Sequence, residues 1–331
     1  MATSGVCVIS GLYTPEQCQA MHGQFRDLVQ QIHPEWTDWE RDFDHNQLFL
    51  SRKGMYRAGG LCHQQYVWDI RQDPRIVDIF AHLYGVERTE LFVSMDSVCV
   101  RGPCVPTEQE CREWYHLDQT RTPDPVCFQG FLSLLDMPET ESPLRVWPGW
   151  HRVPILKDFP PPSHLVNYYP LPSSLEAKLR AYYPNESLER TLVPCKAGSF
   201  VLWDSRLPHM GGNSLQETLG RHVVYVSMQP KAWAGRWAAE DGVQPEKAHD
   251  DLVKQRCEAF RALCNTTHWS STTLVINPPP PHPENWPGTG REGEFLREPT
   301  AFVPRPALSA LGRSLVGLDE PMHNASRCSI M

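Results

Sequence analysis

The chain has 331 residues, with 31 lysines and arginines against 39 aspartates and glutamates and a formal net charge of −8. That length supports a substantial hydrophobic core as one large or two small domains, and a composition 40% hydrophobic and 21% charged excludes bulk disorder. The acidic balance, without a run of Lys or Arg, excludes nucleic acid or an anionic membrane as the main partner. The 31 prolines exceed a usual share of about 5% and describe a loop-rich chain without long helical bundles.

The 11 cysteines include no C-x-x-C pair, and the first residues have neither a positive nor an apolar segment of the secretory type. The chain therefore reads as a cytoplasmic protein with mostly unpaired thiols in a reducing compartment, and a structural Cys-type zinc site is disfavoured. No stretch reaches the roughly 18 apolar residues of a membrane-spanning helix, so no integral membrane segment is expected.

Val6 to Ser10 alternates like a strand. Thr14, Pro15 and Gln17 then spell a helix start with a capping box, and Cys18, Met21, Phe25, Leu28, Val29 and Ile32 recur on one helical face. A second helix is predicted from Asp73-Pro74 to just before Gly85, with Ile76, Val77, Phe80 and Leu83 inward. From Leu91 the chain becomes a series of short apolar runs. Strands are predicted at 91–100, 114–118, 127–136, 144–147, 191–194, 199–204 and 221–228, the pattern of a sandwich or jelly roll. Residues 154–190 form a long insertion expected to lie over the mouth of the barrel. Residues 244–266 read as helix, and the Pro/Gly-rich stretch beyond Ile276 as a surface-wrapping or disordered extension.

Residues 114–118 read Trp-Tyr-His-Leu-Asp. On an extended strand His116 and Asp118 project from the same face, as two adjacent ligands of one metal ion would. By itself the pair is as well explained by a hydrogen-bonded His/Asp at a strand end. A later strand and turn, Gly198 to Asn213, presents His209, and Arg221 opens the next strand, Arg-His-Val-Val-Tyr-Val-Ser. Two histidines and one carboxylate are the facial triad of non-haem Fe(II) oxygenases, which leaves coordination positions open. A guanidinium in an otherwise apolar strand needs an anionic partner, and Arg binds carboxylate bidentately. His222 projects from the opposite strand face and is set aside.

These residues, together with Val67-Trp68-Asp69-Ile70-Arg71, Phe128 to Leu134 and Leu144-Arg145-Val146-Trp147-Pro148-Gly149-Trp150-His151, resemble the phytanoyl-CoA dioxygenase-like (PhyH) family of Fe(II)/2-oxoglutarate-dependent oxygenases over roughly residues 5–235. The resemblance implies a mainly β fold with flanking helices, a double-stranded β-helix of the jelly-roll or cupin-like type. It implies an oxygenase domain over 1–240, with a helical part at 1–90 and a jelly-roll core at about 91–230. Residues 241–331 follow as a C-terminal helix and Pro-rich extension. Carried over residue by residue, His116, Asp118 and His209 hold Fe(II), Arg221 holds the distal carboxylate of 2-oxoglutarate, and Gln129 makes a polar cosubstrate contact. O2 is the oxidant and ascorbate the reductant. The reaction implied is hydroxylation of a C–H bond of a small-molecule substrate with release of succinate and CO2, because Asp118 occupies the position that halogenating relatives vacate. Trp150 replaces the family's Ser, which implies a reshaped pocket rim, and Val223 replaces a Ser found in some relatives, which leaves a second cosubstrate anchor unassigned. His151 is expected to fix a loop rather than to bind metal.

The alternative is a catalytically inactive metal-binding jelly roll of the cupin type, against which Arg221 argues, since a pure metal binder has no use for a buried cation nearby. The final residues, Cys328-Ser329-Ile330-Met331, match C-a-a-X and would add a weak prenyl anchor at Cys328 and membrane association.

Overall fold

The computed structural model describes residues 1–43, 51–52, 54–56, 60–101, 113–120, 126–140, 143–165, 167–212, 220–236, 242–272, 274, 276 and 303–322. Cys328 and most of the Pro-rich stretch lie outside the described residues. In chain order the strands are β1 (Val6–Ile9), β2 (Ser51–Arg52), β3 (Met55–Tyr56), β4 (Leu91–Val93), β5 (Val98–Arg101), β6 (His116–Leu117) and β7 (Phe128–Ser133). They continue with β8 (Leu144–Val146), β9 (Tyr169–Pro170), β10 (Thr191–Val193), β11 (Phe200–Asp204), β12 (His209–Gly211) and β13 (Arg221–Pro230). The helices are α1 (Pro15–Ile32), α2 (Trp39–Asp42), α3 (Gln65–Arg71), α4 (Pro74–Tyr84), α5 (Ile155–Asp158), α6 (Ser173–Tyr182), α7 (Pro245–Arg261) and α8 (Ala310–Val316).

The chain divides into two compact units, Met1–Tyr56 with Val98–Tyr225, and Arg57–Ser97 with Val226–Met331. The first unit is a double-stranded β-helix. Its large sheet runs β1-β11-β7-β13-β5-β3-β2 and its small sheet β10-β8-β12-β6-β9. Crossovers between non-consecutive strands and antiparallel pairing are the pattern of a jelly roll. Residues of both sheets, among them Phe131, Val201, Trp203 and Val223 from the large one and Leu117, Val146 and Met210 from the small one, join a single buried core.

Helix α1 begins as its sequence dictates: Thr14 caps the Gln17 N–H, the Gln17 side chain caps Thr14, and Pro15 fills the first turn. Its apolar face lies on the outer face of the large sheet, where Phe25 packs on Tyr56 and His222. His222 projects outward, as the alternation of β13 requires, and its Nδ1 meets His22 Nδ1 at 2.9 Å. Burial holds His22 down to about 4 and drives His222 well below its ordinary range.

The insertion 154–190 contributes α6, with Leu179 buried in the core, and β9, which extends the small sheet beyond β6. Neither element stands out in a segment read as irregular. Two residues of β9 carry no periodic signal, and they hold their place because His116 pairs with Pro170, Leu117 with Tyr169, and the Tyr115 carbonyl accepts from the Leu171 N–H. Trp150 is buried, donates from Nε1 to the Ser187 carbonyl at 2.7 Å and packs edge-on against Trp147 and Tyr183. Its indole ties the insertion to the segment that follows β8.

In the second unit α4 has Asp73 as N-cap and Gly85, at φ 65°, as left-handed C-cap. The run predicted as one strand at 91–100 divides into β4 and β5. The Ser94 N–H still donates to the Ser227 carbonyl of β13, but the Met95 N–H turns to Thr266 Oγ1 and the Ser97 N–H to the Asp96 side chain, which interrupts the strand. Strand β4 pairs with the end of β13, Met228 opposite Val93. Arg256 of α7 is fully buried and donates to four backbone carbonyls, those of Val93, Ser270, Leu315 and Val316.

Candidate metal centre

Two short strands of the small sheet create the site. Strand β6 places His116 directly opposite His209 of β12, and the two imidazole centroids lie 4.4 Å apart. Just beyond β6 the chain turns, and the Asp118 N–H donates to the Ser205 carbonyl at 3.0 Å. That bond ties the segment that carries His116 and Asp118 to the segment that carries the other histidine. The result is a compact cluster, with one donor atom each from His116, Asp118 and His209 lying within 4.8 Å of one another. His116 Nε2 is 3.4 Å from Asp118 Oδ1, and His209 Nε2 is 3.2 Å from Asp118 Oδ2. Among the described residues this is the one group of three or more such side chains arranged to hold a metal ion.

The chemistry of the donor set fits a divalent metal. His116 Nδ1 lies 3.1 Å from the Trp114 carbonyl and His209 Nδ1 2.8 Å from the Leu207 carbonyl. A carbonyl only accepts, so each Nδ1 carries a proton, and Nε2, which faces Asp118, is the nitrogen left to bind a metal. Burial lowers the affinity of His116 for a second proton, with Asp118 opposing that effect and His209 adding to it. A neutral imidazole is the form a metal requires. The His116 ring is also covered on its faces: Trp114 stacks on it at 4.8 Å and 10°, and Tyr168 approaches at 4.9 Å. Tyr168, 39% exposed, stands beside His116 at the edge of the candidate site.

Gln129 comes from β7 on the large sheet and its Nε2 donates to Asp118 Oδ2 at 3.0 Å. The structure thus places this residue on the carboxylate of the triad. Arg221, at the start of β13, is 2% exposed. Its guanidinium lies 5.3 Å over the Phe131 ring, donates to Met137 Sδ at 3.5 Å and is hydrogen-bonded to the Tyr225 side chain. Burial works against its charge, but Tyr225 and the thiols of Cys99 and Cys195 more than offset that, so the cation persists. Phe131 lies two residues from Gln129 on the same face of β7, so Gln129 and the arginine share one inner surface.

His151 lies apart from the triad, buried against the N-terminal turn, where a Cβ on Gly5 would meet its Nδ1 at 2.6 Å. No described cysteine is joined in a disulfide, and none belongs to the cluster. Two residues of the inner surface did not stand out in the sequence, Trp203 and Tyr225. Their only signal is strand alternation, Val201 to Trp203 and Arg221 to Tyr225, which any core residue shares.

The family model for phytanoyl-CoA dioxygenase matches residues 1–222. The Ava biosynthesis cluster protein O of Aspergillus versicolor is 24% identical over 257 residues, which cover 71% of this chain and 78% of that protein. Among solved structures, GlcNAc Inducible Gene 2 from Candida albicans aligns with a TM-score of 0.56 at 14% identity, covering 96% of this chain and 74% of its own, a likeness of fold. The epimerase SnoN, crystallised with Fe3+, alpha ketoglutarate and nogalamycin RO, aligns over 69% of this chain and 80% of its own at 14% identity. Its TM-score of 0.47 is too loose to bear on mechanism.

Proposed function

This chain belongs to the phytanoyl-CoA dioxygenase family, and from that premise we propose that it is an Fe(II)- and 2-oxoglutarate-dependent dioxygenase that hydroxylates a C–H bond of a small organic substrate, releasing succinate and CO2. The observation that carries this reading is the convergence of two Nε2 lone pairs and one carboxylate, with both Nδ1 atoms tied to backbone carbonyls. Iron(II) bound there would supply the coupling of 2-oxoglutarate decarboxylation to O2 reduction and C–H oxidation.

The chain's own residues would do the rest. The Trp114 and Leu207 carbonyls hold each imidazole in one tautomer and one orientation, so the lone pairs are set before a metal arrives. Gln129 fixes the carboxylate plane of Asp118 from the opposite sheet. Arg221, sunk beside Phe131 and Met137, offers a cation in a low-dielectric setting where a carboxylate is bound far more strongly than in water. Phe131, Trp203 and Val223 add buried apolar surface between the sheets.

The test is succinate formation from 2-oxoglutarate with Fe(II) and ascorbate across a panel of amino acids, acyl-CoAs and small terpenoid or alkaloid scaffolds, beside direct binding by calorimetry. His209→Ala should abolish metal binding. Arg221→Ala should leave metal binding intact and weaken 2-oxoglutarate about a hundredfold, the scale for truncating a buried charge partner. A protein that binds Fe(II) yet neither binds nor turns over 2-oxoglutarate would instead be a metal-binding jelly roll of the cupin type.

A further inference from the structure

The inner face of the large sheet holds one donor that the preceding account does not use. Trp203 stands opposite Gln129 in the register of β11 with β7. Gln129 reaches inward to Asp118, so its cross-strand partner shares that face. The indole centroid is 5.3 Å from the His209 ring and 5.8 Å from the Phe131 ring. Phe131 in turn lies beneath the Arg221 guanidinium. Trp203 therefore sits between a triad imidazole and the ring that carries the buried cation.

Trp203 is 2% exposed, and among the described residues its Nε1–H has no hydrogen-bond partner. A buried indole N–H ordinarily finds an acceptor, and the ring alone does not require one, since phenylalanine supplies an apolar ring without a donor. On the cosubstrate reading proposed above, on which this inference rests, a dicarboxylate spans the distance from the triad to Arg221 and crosses this ring. We propose that Trp203 Nε1–H donates a hydrogen bond to a carboxylate oxygen of 2-oxoglutarate, as a second anchor beside Arg221. This fills the place that Val223, with no polar atom on its side chain, leaves open. The assignment concerns binding alone; the proton stays on the indole nitrogen throughout.

The experiment is calorimetric titration of 2-oxoglutarate into the Mn(II)-loaded full chain, wild type against Trp203→Phe. The variant keeps an aromatic ring against His209 and removes the N–H. Mn(II) affinity should be unchanged and the Kd for 2-oxoglutarate should rise about tenfold, the scale of one hydrogen bond to a charged acceptor. Wild-type protein that does not bind 2-oxoglutarate overturns the cosubstrate reading itself. Wild-type binding with an equal Kd in Trp203→Phe overturns the Trp203 assignment alone, and so does a comparable loss of Mn(II) affinity, which would show the ring acting through His209. Should the variant fail to fold, indole N–H resonances of the 15N-tryptophan-labelled, Zn(II)-loaded wild type decide it. One indole proton moving downfield on adding 2-oxoglutarate supports the contact, and none moving overturns it.

Discussion

At the scale of single residues the site is defined by which atom of each side chain is already committed. Both triad histidines spend Nδ1 on a carbonyl two residues earlier in the chain, a local bond made where a loop or turn leads into a strand. The Asp118 carboxylate accepts a hydrogen bond from across the two sheets. Its orientation depends on Gln129 from the other sheet. Gln129→Leu should therefore lower metal affinity by about tenfold, within the range for loss of an outer-shell partner, while fold stability changes little. Co(II) or Mn(II) titration measures it, and an unchanged dissociation constant would mean that Asp118 is held by other contacts. The candidate ligands were legible in the sequence because His-x-Asp on a strand is a local pattern. Trp203 was not, since an indole in an apolar strand looks the same whether or not its N–H faces a ligand.

At the scale of elements, strands β7 and β11 bring Gln129 and Trp203 together, and their spacing depends on Gly130. A Cβ there would collide with the Phe200 ring and press on the Val201 carbonyl at 3.0 Å. Gly130→Ala should destabilise the protein by about 1–3 kcal/mol, the usual cost of overpacking a filled interior. It should also weaken metal binding, because Gln129 is its immediate neighbour. Urea unfolding and a Co(II) titration read the two effects; loss of neither would mean the strands separate freely. The long elements were readable from the chain. The capping box at Thr14 and the Asp73/Gly85 pair mark α1 and α4 to within a residue. Strand β9 and helix α6 were not, because β9 is two residues long and α6 buries only Leu179.

At the scale of the whole molecule, each unit buries histidine in neutral form. His63 in the second unit is held down to about 3 by burial and by Arg71, against a bond to the Cys264 carbonyl, and His22 and His222 oppose one another in the first. The sign follows from linkage. Below the ordinary histidine range near pH 6.5 the unfolded chain takes up protons that the folded chain refuses, so stability falls with falling pH. Between pH 7.5 and 5.5 each such group should remove about 1 kcal/mol. Urea midpoints across that window check this, and His63→Phe should flatten the dependence. A midpoint that rises on acidification would contradict it.

What the sequence by itself determined is what depends on near neighbours along the chain: helix caps, strand alternation, the His-x-Asp spacing of His116 and Asp118, and the outward direction of His222. The tertiary structure alone decided which distant segments meet. It set His209 opposite His116, turned Gln129 onto Asp118, laid Phe131 under Arg221 and left the Trp203 N–H buried without a hydrogen-bond partner among the described residues. The physical reason is that periodicity fixes the face on which a side chain projects. The register between strands follows from packing and hydrogen bonding summed over two sheets, and no local run of residues encodes it.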